Sequence, residues 1–157
     1  MKKEINYTKG DATAPNQEGN KIIVHICNDI GGWGKGFVVA ISKRWPEPEK
    51  QYREWSRSPN DFKLGEVRLV QVANDLWVAN LIGQHKLGTD ESGTPPIRYE
   101  AVAKGLQKTG VFALELNASV HMPRIGCGLA GGTWDKIEPL IEENLSSKGI
   151  EVTVYDF

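Results

Sequence analysis

Residues 123–134 read Pro-Arg-Ile-Gly-Cys-Gly-Leu-Ala-Gly-Gly-Thr-Trp, and this stretch limits the folds open to the chain more than any other. An apolar run of strand character, Leu114–His121, leads into it, and an amphipathic segment, Thr133–Leu145, leaves it as a helix. Glycines at 126, 128, 131 and 132 allow backbone N–H groups to converge where a Cβ would intrude. A helix beginning just beyond such a loop adds unpaired N–H groups and the positive end of its dipole. Strand, glycine loop and helix together are expected to form an anion site of the kind that cradles a nucleotide diphosphate.

A second cluster of the same kind lies upstream. Lys21–Asn28 (Lys-Ile-Ile-Val-His-Ile-Cys-Asn) is an almost unbroken apolar run, as in a central strand buried on both faces. It opens into Gly31-Gly32-Trp33-Gly34-Lys35-Gly36, after which Phe37, Val38, Ile41 and Trp45 share one side of a helix that stops at Pro46. Ile5–Thr8 and Ile150–Tyr155 read as strands, and Pro48–Ser56 as a short helix. Glu66–Ala73 and Leu76–Ile82 read as a hairpin about Asn74-Asp75. Gln84–Ile97 is a long loop ending in Pro95-Pro96, and Arg98–Thr109 is a helix with a stripe of Tyr99, Val102, Ala103 and Leu106. Strands alternating with helices predict a three-layer α/β/α sandwich with a mixed, mostly parallel sheet, one domain over 1–157. Ligands of such sheets collect at the carboxyl ends of the strands, where both glycine clusters would meet.

Charge and cysteine usage narrow the partners. Nineteen basic against twenty acidic residues give a net charge of −1, without the basic excess of a protein that coats nucleic acid. Cys27 and Cys127 build neither a disulfide framework nor a metal-ligand spacing, so no metal is expected. The first residues lack the apolar core of a signal peptide and no run reaches membrane-spanning length, so the expected location is cytoplasmic, away from membranes.

Known phosphate motifs fit poorly. Gly126 to Gly131 matches G-x-G-x-x-G, but only one strand follows, too few for a dinucleotide-binding unit. Gly36 is followed by Phe37-Val38 rather than Lys-Ser/Thr, which excludes a Walker A loop. A cysteine phosphatase would carry an arginine six residues after Cys127, where Thr133 stands, and Cys27 reads as strand packing. Asn28, at a strand end, has an amide able both to donate to and accept from a sugar hydroxyl. Trp33 lies in a glycine loop, where its ring either walls a ligand or anchors the loop. Asp11, in Gly10-Asp11-Ala12-Thr13, reads equally as a turn cap or a ligand contact. His25 reads first as a core histidine, and His85 and His121 show no partner.

Four stretches in order, Gly10–Thr13, His25–Asn28 with Gly31–Phe37, Asn80-Leu81-Ile82-Gly83-Gln84, and Pro123–Trp134, resemble the macrodomain family over essentially the whole chain. The likeness is greatest to the branch of yeast-type ADP-ribose-1''-phosphate phosphatases and the terminal ADP-ribose protein glycohydrolase. It implies a six-stranded sheet with an ADP-ribose cleft. By this resemblance Asp11 accepts from the adenine amino group beside the Ala12 backbone. Ile125, Gly126, Cys127, Gly128, Leu129 and Ala130 cover the diphosphate, opposite Gly32, Trp33, Gly34, Lys35, Gly36 and Phe37. Asn28 addresses the distal ribose near its anomeric carbon, His25 is the candidate acid or base, and Lys35 a candidate for neutralising phosphate. The lysine and aspartate on which the glycohydrolase chemistry depends are replaced by Gln84 and Ala130. The expected ligand is therefore ADP-ribose or ADP-ribose-1''-phosphate, with ADP-ribosylated macromolecules as a second partner class and no cofactor. Phosphatase-like hydrolysis is the leading expectation, beside a non-catalytic binder and a hydrolase of ADP-ribosyl or acyl-ADP-ribose bonds.

Overall fold

The computed structural model describes residues 2–58 and 60–157. In chain order the elements are β1 (Asn6–Lys9), β2 (Asn20–Asn28), α1 (Phe37–Arg44), α2 (Glu47–Arg57), β3 (Val67–Ala73), β4 (Leu76–Gln84), α3 (Tyr99–Leu116), β5 (Ala118–Met122), α4 (Trp134–Asn144) and β6 (Val152–Asp156). A short 3-10 turn, Ser146–Lys148, precedes β6. The strands form one sheet in the order β1-β6-β5-β2-β4-β3. Every neighbouring pair is parallel except β3 with β4, which is the expected hairpin. The carboxyl ends of β1, β6, β5, β2 and β4 therefore share one edge.

Side chains on β2 alternate between two cores. Ile22 and Val24 pack with Val102 and Leu106 of α3 and Ile137 and Ile141 of α4, whereas Ile23 and Cys27 pack with Ile41 of α1 and Tyr52 and Trp55 of α2. Burial on both faces explains why β2 is apolar without polar alternation, and the expected three layers follow from it. α3 also lies against the sheet at Gly105, where a Cβ would stand 2.3 Å from Leu81 Cγ.

The largest boundary difference from the sequence reading lies at the end of α3, beside shifts of two residues at the end of β4 and the start of β6. α3 continues through Leu114 to Leu116, and β5 begins only at Ala118, so the expected strand Leu114–His121 is half helix. The helical period persists past Thr109: Leu106, Thr109 and Ala113 are buried while Val111 and Leu114 are exposed. Gly110 is a contact point within the helix, since a Cβ there would lie 2.7 Å from the carbonyl oxygen of Asn144. The stop comes at Asn117, in the left-handed region at φ 51°, whose N–H closes the last turn onto the Ala113 and Leu114 carbonyls.

Candidate functional site

The two glycine loops leave the carboxyl ends of β2 and β5 and face each other. A Cβ on Gly36 would lie 3.4 Å from Leu129 Cδ1, so the loops nearly touch at their tips. Gly128 and Gly34 have open space beside them.

The first loop is held from behind by its carbonyl groups. Asn28 Nδ2 donates to the Gly32 oxygen (2.8 Å), and Arg53 donates to the Gly31 and Trp33 oxygens (3.3 and 3.1 Å). In a trans peptide the N–H points opposite the C=O, so the N–H groups of Trp33 and Gly34 turn away from these anchors. Among the described residues no acceptor lies within hydrogen-bonding reach of the Gly34, Lys35 and Gly36 N–H groups. The second loop is built the same way. Its Gly126, Gly128 and Ala130 oxygens accept from Gly132, Gly131 and Ile97, respectively, at 2.7–3.0 Å, while the Gly128, Leu129 and Ala130 N–H groups have no acceptor among the described residues. Gly126 (φ 74°) and Gly131 (φ 78°) make the turns that allow this. Arg124 steadies the entry, paired with Asp156 at 2.6 Å and lying over the Tyr7 and Trp134 rings. Unpaired backbone N–H groups on two facing loops are donors of the kind that can hold an anion without any cation.

The sequence reading expected the N-terminus of α4 to add its N–H groups to this cradle, and the N–H of Thr133 is already engaged. Thr133 N–H donates to the Tyr99 hydroxyl (3.1 Å). Thr133 and Lys136 open instead on a separate cavity of about 810 Å³ with Pro95, Arg98 and Lys104. The helix that starts beside the cleft is α1, with Gly36 at its cap and Phe37 its first residue.

Beyond the β1 end of the cleft lies a cavity of about 560 Å³ lined by Asp11, Ala12, Phe37, Arg44, Tyr155 and Phe157, among others. Asp11 Oδ1 accepts from the Thr13 N–H and hydroxyl (2.8 and 2.6 Å), and Oδ2 from Arg44 (3.2 Å). The Thr13 hydrogen bonds, with Arg44, hold this carboxyl below its usual range. Asp11 is thus both a turn cap and an anion facing a cavity.

Three side chains sit differently from the ligand-site roles considered for them, and for His25 the core reading holds. Trp33 does not wall the cleft: its ring is buried, edge-on to His25 and tilted against Tyr52, with Nε1 donating to Ser42 Oγ (2.8 Å). Glycines on either side give the backbone freedom to turn this large apolar group inward. The His25 ring is buried as well, with Nε2 2.6 Å from Asn80 Oδ1, and burial pushes its pKa down to about 4. It is therefore enclosed in the α1–α2 core rather than exposed to a ligand. Asn28 spends its amide on the first loop: Oδ1 accepts from the Ile30 and Gly32 N–H groups (3.0 Å each) and lies 2.8 Å from the Tyr52 hydroxyl. Burial raises the pKa of both the Cys27 and the Cys127 thiols, which suits packing rather than attack. Lys35 is exposed in the first loop, and among the described residues no cluster of His, Cys, Asp or Glu could hold a metal.

A pairing absent from the sequence reading stands at the other end of the cleft. Asp29 Oδ2 and His85 Nδ1 are 2.7 Å apart, and Asp29 Oδ1 accepts from the Lys86 N–H (2.8 Å). Only the parallel register of β2 with β4, which sets Asn28 against Gln84, brings residues so distant in sequence together.

A macrodomain protein of Streptomyces coelicolor is 56% identical, with 98% of this chain and 99% of that one covered at a TM-score of 0.88. The chain belongs to the macrodomain family. No family model matches it. Among curated relatives, the mouse chromodomain-helicase-DNA-binding protein 1-like is 37% identical over 98% of this macrodomain, which spans only 18% of that protein's length. An ADP-ribose 1''-phosphate phosphatase of Lodderomyces elongisporus is 26% identical, with 97% of this chain and 99% of the relative covered.

Proposed function

We propose that this macrodomain binds ADP-ribose along the carboxyl edge of its sheet and hydrolyses a group on the distal ribose, as an ADP-ribose-1''-phosphate phosphatase would. The observation that carries the reading is the pair of facing loops, between the Asp11 cavity and the β4 end, whose N–H groups have no acceptor among the described residues. On this reading the diphosphate lies against the N–H groups of the two loops, the Asp11 cavity offers an acceptor and aromatic walls for adenine, and the distal ribose falls beside Gln84 and His85. The likeness to the Lodderomyces phosphatase supports the choice of reaction. Calorimetry with ADP-ribose should show saturable binding, and incubation with ADP-ribose-1''-phosphate should release inorganic phosphate. Absence of binding at millimolar ligand would remove the whole reading.

A second reading is a module that holds ADP-ribose, free or attached to a macromolecule, without turnover. It is favoured by Gln84 and Ala130 at the positions of the glycohydrolase pair and by the burial of His25. Binding with unchanged ADP-ribose-1''-phosphate would select it.

The adenine end has its own check. Asp11→Ala removes a charged acceptor worth about 1.5–3 kcal/mol, so ADP-ribose affinity should fall about 10- to 100-fold. Ribose-5-phosphate, which lacks the base, should bind the variant and the wild type alike. Equal losses for both ligands would make Asp11 a purely structural cap.

A further inference from the structure

Resting on the ADP-ribose reading above, we infer that Asp29 and His85 form the proton-transfer pair of this macrodomain, with His85 Nε2 facing the distal ribose and Asp29 positioning the ring. Both residues stand where strands run out into the cleft, Asp29 one residue past β2 and His85 one past β4. Their place along the cleft follows from strand order. Asp11 marks the β1 end, the glycine loops leave β5 and β2, and β4 is next beyond them, so a ligand with adenine near Asp11 and diphosphate between the loops presents its distal ribose to the β4 end. The backbone ties His85 to the phosphate cradle: its N–H donates to the Pro96 oxygen (2.8 Å), and the next residue, Ile97, donates to the Ala130 oxygen (3.0 Å).

The pair has the arrangement that base catalysis by histidine requires. Asp29 is mostly buried and both its oxygens are engaged, which fixes the carboxylate. It accepts from His85 Nδ1–H, so the neutral ring keeps its lone pair on Nε2. The imidazole is 43% exposed, and Nε2 meets no partner among the described residues. A mere staple for the loop after β4 would need only the Lys86 N–H on Asp29, and that bond does not involve the ring. With ADP-ribose-1''-phosphate bound, a water on Nε2 gives up a proton to His85 as its oxygen bonds to phosphorus. The bond from phosphorus to the ribose oxygen breaks, that oxygen leaves with the electron pair, and the imidazolium returns the proton to it. One water is consumed, and ADP-ribose and hydrogen phosphate leave.

The test measures phosphate release from ADP-ribose-1''-phosphate together with ADP-ribose affinity by calorimetry. His85→Ala should lower release by at least about 100-fold, the usual worth of a positioned acid–base group, while leaving affinity unchanged. Added imidazole should accelerate the His85→Ala protein and not the wild type, a response that a structural role would not produce. In the histidine nitrogen NMR spectrum, neutral His85 should appear as the Nδ1–H tautomer and become mixed in Asp29→Asn. Release by His85→Ala at the wild-type rate, or an Nε2–H tautomer in the wild type, overturns the pair while leaving the phosphatase reading intact. Absence of release by the wild type overturns both, and calorimetry then separates a non-catalytic binder from a protein with no ADP-ribose site.

Discussion

Gly128→Glu should reduce ADP-ribose affinity by at least about 100-fold, with the fold retained. The expectation rests on where the new carboxylate goes. Gly128 has nothing within 4 Å of an added Cβ and is not among the glycines with positive φ, so a side chain enters without strain. The carboxylate then projects beside the free N–H groups of Gly128, Leu129 and Ala130. It competes for those donors and repels an arriving diphosphate. Two like charges about 4 Å apart at a protein surface cost about 4 kcal/mol, and each 1.4 kcal/mol is tenfold in affinity. Calorimetry measures the loss, and an unchanged thermal midpoint establishes that the fold survives. Wild-type affinity in the variant would remove the second loop from the binding site.

Asn28→Ala should act on both stability and binding, because the side chain joins strand, loop and helix. Its loss leaves the Gly32 oxygen, the Ile30 and Gly32 N–H groups and one contact of the Tyr52 hydroxyl without their partner. A polar group stranded in a buried place costs about 1–3 kcal/mol, while water reaches the loop groups at exposed Ile30 and half-buried Gly32, so a loss of about 2–4 kcal/mol is expected in urea unfolding. The first glycine loop loses its anchor at the same time, and affinity for ADP should fall along with affinity for ADP-ribose. This comparison separates two roles. A residue that only contacts the distal ribose would leave ADP binding untouched, whereas one that shapes the diphosphate loop weakens both ligands.

These expectations show which parts of the site local sequence carries. The continuous apolar run of β2 announced a strand buried on both faces, and the glycine clusters announced two loops at strand ends, because both are properties of neighbours in the chain. The end of α3 is not legible locally, because the apolar run from Leu114 suits a strand as well as the continuation of a helix past Gly110. The absent Cβ of Gly110 admits the Asn144 carbonyl oxygen from another helix. Trp33 stays open between wall and anchor in the sequence because a glycine-rich loop is usually a surface feature, and only the hollow between His25 and Tyr52 draws its ring inward.

The sequence by itself determined the three-layer class, the two phosphate-type loops and, by resemblance, the macrodomain family. These rest on hydrophobic period, glycine placement and motif order, all of which are one-dimensional. Only the tertiary structure decided the direction of each polar side chain. It turned the Asn28 amide into a loop anchor, sealed His25 at a pKa of about 4, and set His85 against Asp29 across two strands. Those outcomes depend on strand register and on burial from a second layer, and neither is encoded within reach of the residue itself.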